Sequence, residues 1–235
     1  AVTELWKSDG TANGTVMVKD IYTGSEGSNP TKLTAVGNTL YFIATDGTNG
    51  NRLWKSNGTA NGTVMVSQIE PGTSLTVVGN TLYFFSGGRL LKTDEANGTE
   101  TFRQFDEGEP LSGGKISVVN NNLYFLSSMG PEETLWKTNG TDNGTVMVKR
   151  FGMGSNSQYN SLTAVGNTLY IGLTVFNEFW ASDGTSSGTV WLKDIYNIDF
   201  DDTNYFTAVD NILYFRANDG IYGTELWKSD GTVSG

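Results

Sequence analysis

Hydrophobic residues in this chain come in short runs, the longest at residues 40–44, and the runs recur with their polar surroundings. One phrase, Leu-Thr-Ala-Val-Gly-Asn-Thr-Leu-Tyr-Phe at 33–42, returns in varied form at 75–84, 116–125, 162–171 and 206–215. Each copy has two β-rich halves around a residue pair that tolerates positive φ: Gly37-Asn38, Gly79-Asn80, Asn120-Asn121, Gly166-Asn167 and Asp210-Asn211. Such a pair between two β-rich runs predicts a tight hairpin, here called strands A and B. A second phrase, Leu-Trp-Lys-Ser-Asp-Gly-Thr, starts at Leu5, Leu53, Leu90, Leu135, Phe179 and Leu226, and predicts a strand C followed by a loop. Strand D follows at 15–18, 63–66, 100–103, 145–148 and 189–192. Leu40, Tyr41 and Phe42 are consecutive, as are Val16, Met17 and Val18, so both faces of these strands are expected to be buried.

The second phrase repeats at spacings of 48, 37, 45, 44 and 47 residues, the length of one four-stranded propeller blade. The predicted architecture is therefore all-β: a five-bladed β-propeller of about 44-residue repeats, four antiparallel strands per blade. The whole chain, 1–235, reads as one propeller, with blade material at 33–69, 75–105, 116–151, 162–195 and 206–235, the last closed by 4–21. Five A–B hairpins and five D strands stand against six C strands, because residues 4–14 align with 225–235. The ring is expected to close by pairing of N- and C-terminal strands. Either strand D at 15–21 completes the last blade beside residues 225–229, or the N-terminal C and D strands stay together, pair with the last A–B hairpin and leave 225–235 free. A third arrangement pairs the surplus strand with a neighbouring molecule, giving head-to-tail assembly.

Composition narrows the chemistry. The 235 residues include no cysteine and no histidine, which removes thiol nucleophiles, disulfides, zinc fingers and imidazole-based triads. Fifteen Lys and Arg against 25 Asp and Glu give a net charge of −10, scattered along the chain, so nucleic acid is not an expected partner. No apolar run approaches the roughly 20 residues that span a bilayer, and no membrane insertion is expected. The chain opens without a signal peptide, which is either absent or already removed. A cysteine-free composition rich in Thr, Asn, Gly and Ser suits a protein exposed outside a bacterial cell.

At the second phrase the sequence resembles the bacterial ELWxxDGTxxGT repeat family of secreted and surface proteins, described as related to hyalin-like repeats. Residues 4–15, Glu-Leu-Trp-Lys-Ser-Asp-Gly-Thr-Ala-Asn-Gly-Thr, match the motif in full, and 217–232 match an extended form. The resemblance covers essentially the whole chain and implies a propeller-like repeat domain with a binding or surface role. It supplies no catalytic residues. The copy at 89–99 departs most, since Leu91 replaces Trp and the preceding loop is short, and that blade is expected to pack least well.

The recurring Asp-Gly and Asn-Gly pairs read either as metal ligands or, at Asn13, Asn57 and Asn97, as glycosylation acceptors, or as turns in which the Asx side chain bonds its own backbone. The turn reading is preferred, because the pair occurs wherever a turn is needed. Trp6, Trp54, Trp136, Trp180 and Trp227 are expected to pack between blades rather than stack on sugars, and Trp191 likewise. Asp199, Asp201 and Asp202 lie in a loop the repeat does not demand; they are candidate ligands for calcium, against the alternative of a solvated acidic loop. No other cofactor is expected. A glycoside hydrolase needs carboxylates projecting into the central channel, yet the only acid in the A–B hairpins is Asp210, in a turn. Loop acids Asp46, Glu178 and Asp219 are the substitutes an enzyme would have to use, so the chain is read as a non-enzyme.

Recognition is expected on the rim carrying the D–A and B–C connections, whose sequences vary while the scaffold repeats. Its aromatics Tyr159, Phe176, Tyr196, Phe200, Tyr205 and Tyr222 are the candidate ligand-binding residues, beside Tyr22. The expected function is an extracellular or cell-surface interaction or structural module contacting a protein or glycan. A five-bladed lectin, a strand-exchanging filament subunit and, last, a glycoside hydrolase are the alternatives.

Overall fold

The computed structural model describes residues 3–72, 74–87, 89–94, 98–104, 116–129, 132–153, 160–173, 176–195, 197–198 and 206–235. Its regular structure is entirely β, with no helix among the described residues. The chain forms two compact units, residues 1–104 and 105–235.

The first unit opens with a two-stranded sheet, β1 (Leu5–Lys7) against β2 (Val16–Lys19). A four-stranded meander follows: β3 (Thr31–Val36), β4 (Thr39–Thr45), β5 (Asn51–Ser56) and β6 (Val64–Ser67). The next comprises β7 (Leu75–Val78), β8 (Thr81–Ser86), β9 (Arg89–Asp94) and β10 (Gly98–Gln104). In the second unit, β11 (Ile116–Val119), β12 (Asn122–Met129), β13 (Glu132–Thr138) and β14 (Val146–Met153) form one meander. Another consists of β15 (Ser161–Val165), β16 (Thr168–Leu173), β17 (Glu178–Ser182) and β18 (Thr189–Asp194). In the last sheet β21 (Ile212–Asn218) pairs with β20 (Phe206–Val209), with the short β19 (Asn197–Ile198) and with β22 (Thr224–Ser229).

These sheets follow the order A-B-C-D read from the repeat. The hairpin turns between A and B have positive φ at Gly37, Gly79, Asn120, Asn121, Gly166 and Asp210, the backbone that suits a two-residue connection. The two ends of the chain differ from the pattern. Among the described residues, β1 and β2 are a C–D pair with no A–B hairpin beside them, whereas β20, β21 and β22 are A, B and C with no D strand on β22.

The B strands carry the core because they are covered on both faces. Tyr41, Phe42 and Ala44 are fully buried, as are Leu82, Phe84, Phe125, Ile171 and Leu213. Burying one such large apolar side chain contributes about 1.5–3 kcal/mol, so each blade is held chiefly by its second strand. Adjacent sheets within a unit share their apolar residues: Leu5, Val18 and Ile21 pack with Phe42, Ala44 and Trp54, and Val36, Tyr41 and Leu53 with Leu82, Phe84 and Leu91. In the second unit Leu135, Val148 and Phe151 meet Ile171 and Leu173, and Phe179, Leu192 and Ile195 meet Phe215 and Ala217.

Two expectations need correction. In the D strands at most one residue of an apolar triplet is inside: Val18 is buried while Val16 and Met17 are exposed, Val146 and Met147 are exposed beside buried Val148, and in β6 Val64 is exposed with Met65 and Val66 half-buried. Each D strand is the outer edge of its sheet, so the neighbouring sheet covers one face only. Trp191 is exposed for the same reason, its indole N–H donating to Asp194 Oδ1 at 3.1 Å. At the copy lacking Trp, Leu90 and Leu91 of the C strand are both fully buried.

The Ser-Asp-Gly-Thr loop shows why its motif is so regular. Asp9 Oδ1 accepts the Thr11 amide at 2.9 Å and its hydroxyl at 2.7 Å; the Gly14 amide donates to Thr11 Oγ1 at 2.9 Å, and Ser8 and Thr15 join their hydroxyls at 2.7 Å. The same set recurs around Asn57, Asn139 and Asp183. The second glycine is required for space, because a Cβ at Gly14 would overlap the Asp9 carboxylate. These Asx side chains are engaged by their own turns.

Candidate functional site

The B–C loop of the last sheet combines a rigid frame with an apolar tip. Asn218 accepts the Gly220 amide at 2.7 Å, and Asp219 Oδ1 accepts the amides of Ile221 and Tyr222, both at 2.9 Å. Gly220 and Gly223 take φ of 82° and 85°, so the chain doubles back within six residues. The bonds from Tyr222 and then Ile221 hold the Asp219 carboxyl below the ordinary carboxylate range. On this frame Ile221 is 77% exposed and Tyr222 78%.

Residues 45–50 form the same frame. Thr45 Oγ1 accepts the Gly47 amide at 3.1 Å, and Asp46 Oδ1 accepts the amides of Thr48 at 2.9 Å and Asn49 at 2.8 Å. Gly47 and Gly50 take φ of 82° and 73°. There the tip is Thr48-Asn49, and the Asn49 side chain folds back on Asp46 Oδ2 at 2.7 Å. The frame is thus held constant while the tip changes from polar and self-satisfied to apolar and outward.

Of the sequence-predicted binding residues, Tyr222 is on this tip. Phe176 is half-buried, packed against the cluster that contains Leu173 and Phe151, with its amide bonded to the Leu173 carbonyl at 3.1 Å. Tyr22 lies over Gly47, where a Cβ would strike its ring. Tyr159, Tyr196, Phe200 and Tyr205 are outside the described residues, as are the candidate calcium ligands Asp199, Asp201 and Asp202, and Asn97. The structure does tie the start of that acidic and aromatic connection to the tip's base, because Asn197 and Ile198 pair with Asn218 and Ala217. Ile221 was not singled out from sequence, although its substitution for the polar residue at Thr48 is visible in the repeat.

Glu4 has a role that the motif alone did not disclose. It is buried, and its carboxylate accepts the amides of Ile21 at 3.0 Å and Ser28 at 2.9 Å and the Ser28 hydroxyl at 2.6 Å, pinning the D–A connection to β1. Elsewhere acids serve turns: side-chain and then backbone bonds from Thr11, Thr185 and Thr232 hold Asp9, Asp183 and Asp230 below the usual carboxylate range. Among the described residues no group of three or more Asp and Glu converges on a cation position.

Several solved structures share this arrangement of sheets. An oligogalacturonate lyase in complex with manganese aligns with a TM-score of 0.57 at 10% identity, covering 99% of this chain and 72% of that one. A virginiamycin B lyase from Staphylococcus aureus gives 0.53 at 15% identity over 85% and 70%, and a nidogen/laminin complex 0.50 at 12% over 79% and 70%. The class of protein is therefore a β-propeller. No family model matches the sequence, and no curated protein matches it significantly. At these identities the likeness carries the fold, while the neighbours themselves include both lyases and a binding complex.

Proposed function

We propose that this chain is a non-enzymatic interaction or structural module of an extracellular or cell-surface protein, of the ELWxxDGTxxGT repeat type, that contacts a protein or glycan through its variable rim. The supporting architecture is a five-bladed propeller whose fifth blade is completed by pairing of an N-terminal D strand with the C-terminal C strand. One observation carries the functional reading: two loops with the same carboxylate-centred frame differ at their tips, and one presents Ile221 and Tyr222 to solvent. A pre-ordered loop loses little entropy on binding, and a tyrosine contributes a large amphipathic contact area for two torsions. The use of Asp9, Asp46, Asp183, Asp219 and Asp230 to hold turn backbone supports the absence of catalytic carboxylate chemistry at these positions.

The test is a comparison of the labelled chain with an Ile221→Ser/Tyr222→Ser variant on a glycan array and on an array of immobilised extracellular proteins. Saturable binding to one array, lost in the variant, is the expected result and identifies the partner class. Equal binding by both chains would overturn the assignment to this tip.

A further inference from the structure

We propose that Trp191, Glu178 and Asp194 form a docking site for the guanidinium group of an arginine side chain on a partner polypeptide. The site lies within one sheet, on the ladder between β17 and β18, and is separate from the loop tip at Ile221 and Tyr222.

A bulge brings these side chains together. Glu178 is opposite Asp194 and Phe179 opposite Lys193, but Trp180 is opposite Trp191, so Leu192 is the extra residue of the ladder. In a regular strand Trp191 and Asp194, three positions apart, would point to opposite faces; the extra residue returns both to the face of Glu178 and Trp180. The indole N–H of Trp191 donates to Asp194 Oδ1 at 3.1 Å, and that of Trp180 to Glu178 Oε2 at 2.9 Å. The first bond fixes the plane of an indole that is 43% exposed. Trp180 is half-buried, its ring 5.2 Å from that of Phe151 and 4.8 Å from Lys149 Nζ. Trp191 is therefore the open platform of the pair. The repeat does not require it, since Met17, Met65 and Met147 stand at its position in the sister ladders.

The chemistry left over selects the occupant. Both indole N–H groups are spent, and the second oxygen of each carboxylate takes no hydrogen bond from a described residue, so the edge of the platform offers acceptors only. Two like charges directly opposite across a ladder repel at a Cβ separation of about 5 Å. No described base answers them: Lys193 lies 4.9 Å from the Trp227 ring, Lys149 donates to the Thr189 carbonyl at 3.2 Å, and Arg150 pairs with Glu132 at 3.3 Å. The sequence beyond Asp194 holds no Lys or Arg before Arg216. In two sister ladders the same pair of positions reads Arg52 and Gln68, and Thr134 and Arg150, with no such repulsion. A guanidinium has five donors and no acceptor, stacks on an indole face, and presents a fork that meets carboxylate oxygens. A neutral sugar would leave both charges unpaired. Among the described residues β18 is the outermost strand of its sheet, so an extended polypeptide carrying the arginine also reaches strand backbone beside Trp191.

The indole N–H resonances of the isotopically labelled full chain read the contact directly, and that of Trp191 is assigned by its loss in Trp191→Met. The probes are acetyl-arginine amide, acetyl-lysine amide and an acetylated, amidated Thr-Val-Arg-Val-Thr peptide. The arginine amide should shift the Trp191 resonance saturably, and the lysine amide should bind at least about threefold more weakly, because a point charge neither forks nor stacks as a guanidinium does. The peptide should bind about tenfold tighter than the arginine amide through added main-chain pairing. Glu178→Gln/Asp194→Asn keeps side-chain shape and an acceptor for each indole, and should lower affinity at least about tenfold. The Ile221→Ser/Tyr222→Ser chain should bind as the parent does, so the two assignments fail separately. The absence of a saturable shift, equal affinity for the arginine and lysine amides, or undiminished binding by Glu178→Gln/Asp194→Asn would each overturn the proposal. Equal affinity for arginine amide and peptide would overturn the polypeptide source and leave a free guanidinium compound as the occupant.

Discussion

Glu4 and Ser28 share a buried hydrogen bond of 2.6 Å from the serine hydroxyl to the carboxylate, and through it β1 and the D–A connection are held together. The motif glutamate is thus an internal cap for loop amides. Replacing Glu4 by Ala strands the amides of Ile21 and Ser28 in a site closed to water, so the unfolding midpoint should fall by the equivalent of about 2–4 kcal/mol. Glu225, the same motif position on an exposed strand, should cost less than ~0.5 kcal/mol when changed to Ala. Urea titration of both variants checks the contrast.

The turn aspartates make stability depend on acid. Asp9, Asp183 and Asp230 have folded-state pKa values below the unfolded value, owing first to the threonine hydroxyl and then to the threonine amide in each turn. Their stabilising contribution is present above the unfolded carboxylate pKa, about 3.9, and is lost as pH falls through the lower folded values. Asn57 and Asn139 fill the same position without titrating. Asp183→Asn should therefore keep the fold and flatten the decline in melting temperature between about pH 5 and pH 2. An unaltered pH profile would contradict the assignment.

Gly184 and Gly10 occupy the same turn position with φ of 87° and 92°, yet their surroundings differ. A Cβ at Gly184 would meet the Tyr124 hydroxyl, whereas at Gly10 it meets open space. Gly10→Ala should cost about 1 kcal/mol, the strain of a left-handed residue. Gly184→Ala should cost visibly more, and Tyr124→Phe should restore part of the difference; thermal melts of the three variants suffice.

For the loop tip, the Ile221→Ser/Tyr222→Ser chain should melt within about 0.5 kcal/mol of the parent, because both side chains are in solvent. Asp219→Ala in the same loop removes the acceptor for both tip amides and should weaken binding while Ile221 and Tyr222 remain present. Isothermal titration with whichever array hit emerges compares the two. Equal affinities for Asp219→Ala and parent would show that the frame does not order the tip.

Much of the fold was legible because the repeat states it several times. Paired residues such as Gly37-Asn38 marked the A–B turns, and the Leu-Trp phrase located the C strands to within a residue or two. The exposure of Met17 and Trp191 was not legible, since a run of apolar residues does not say whether its strand is central or at an edge. Nor was the bulge between Leu and Trp in the C–D pairs, seen at Leu5/Trp6, Leu53/Trp54, Leu135/Trp136 and Phe179/Trp180, because it depends on both partners of the ladder. At the candidate site, Tyr222 was found from its loop, while the outward pairing of Ile221 with it required the Asp219 frame to be seen.

What the sequence determines by itself is the local grammar: which segments are strands, which pairs turn, and which Asx and Thr residues bond within a loop, all set by interactions over a few residues. The tertiary structure decides what each strand meets. Leu5 and Leu226 stand in identical octapeptides, and the first is 4% exposed and the second 77%. Burial is a property of the neighbours packed against a residue, and β1 has a D strand and an adjoining sheet over it where β22 pairs, among the described residues, with β21 alone.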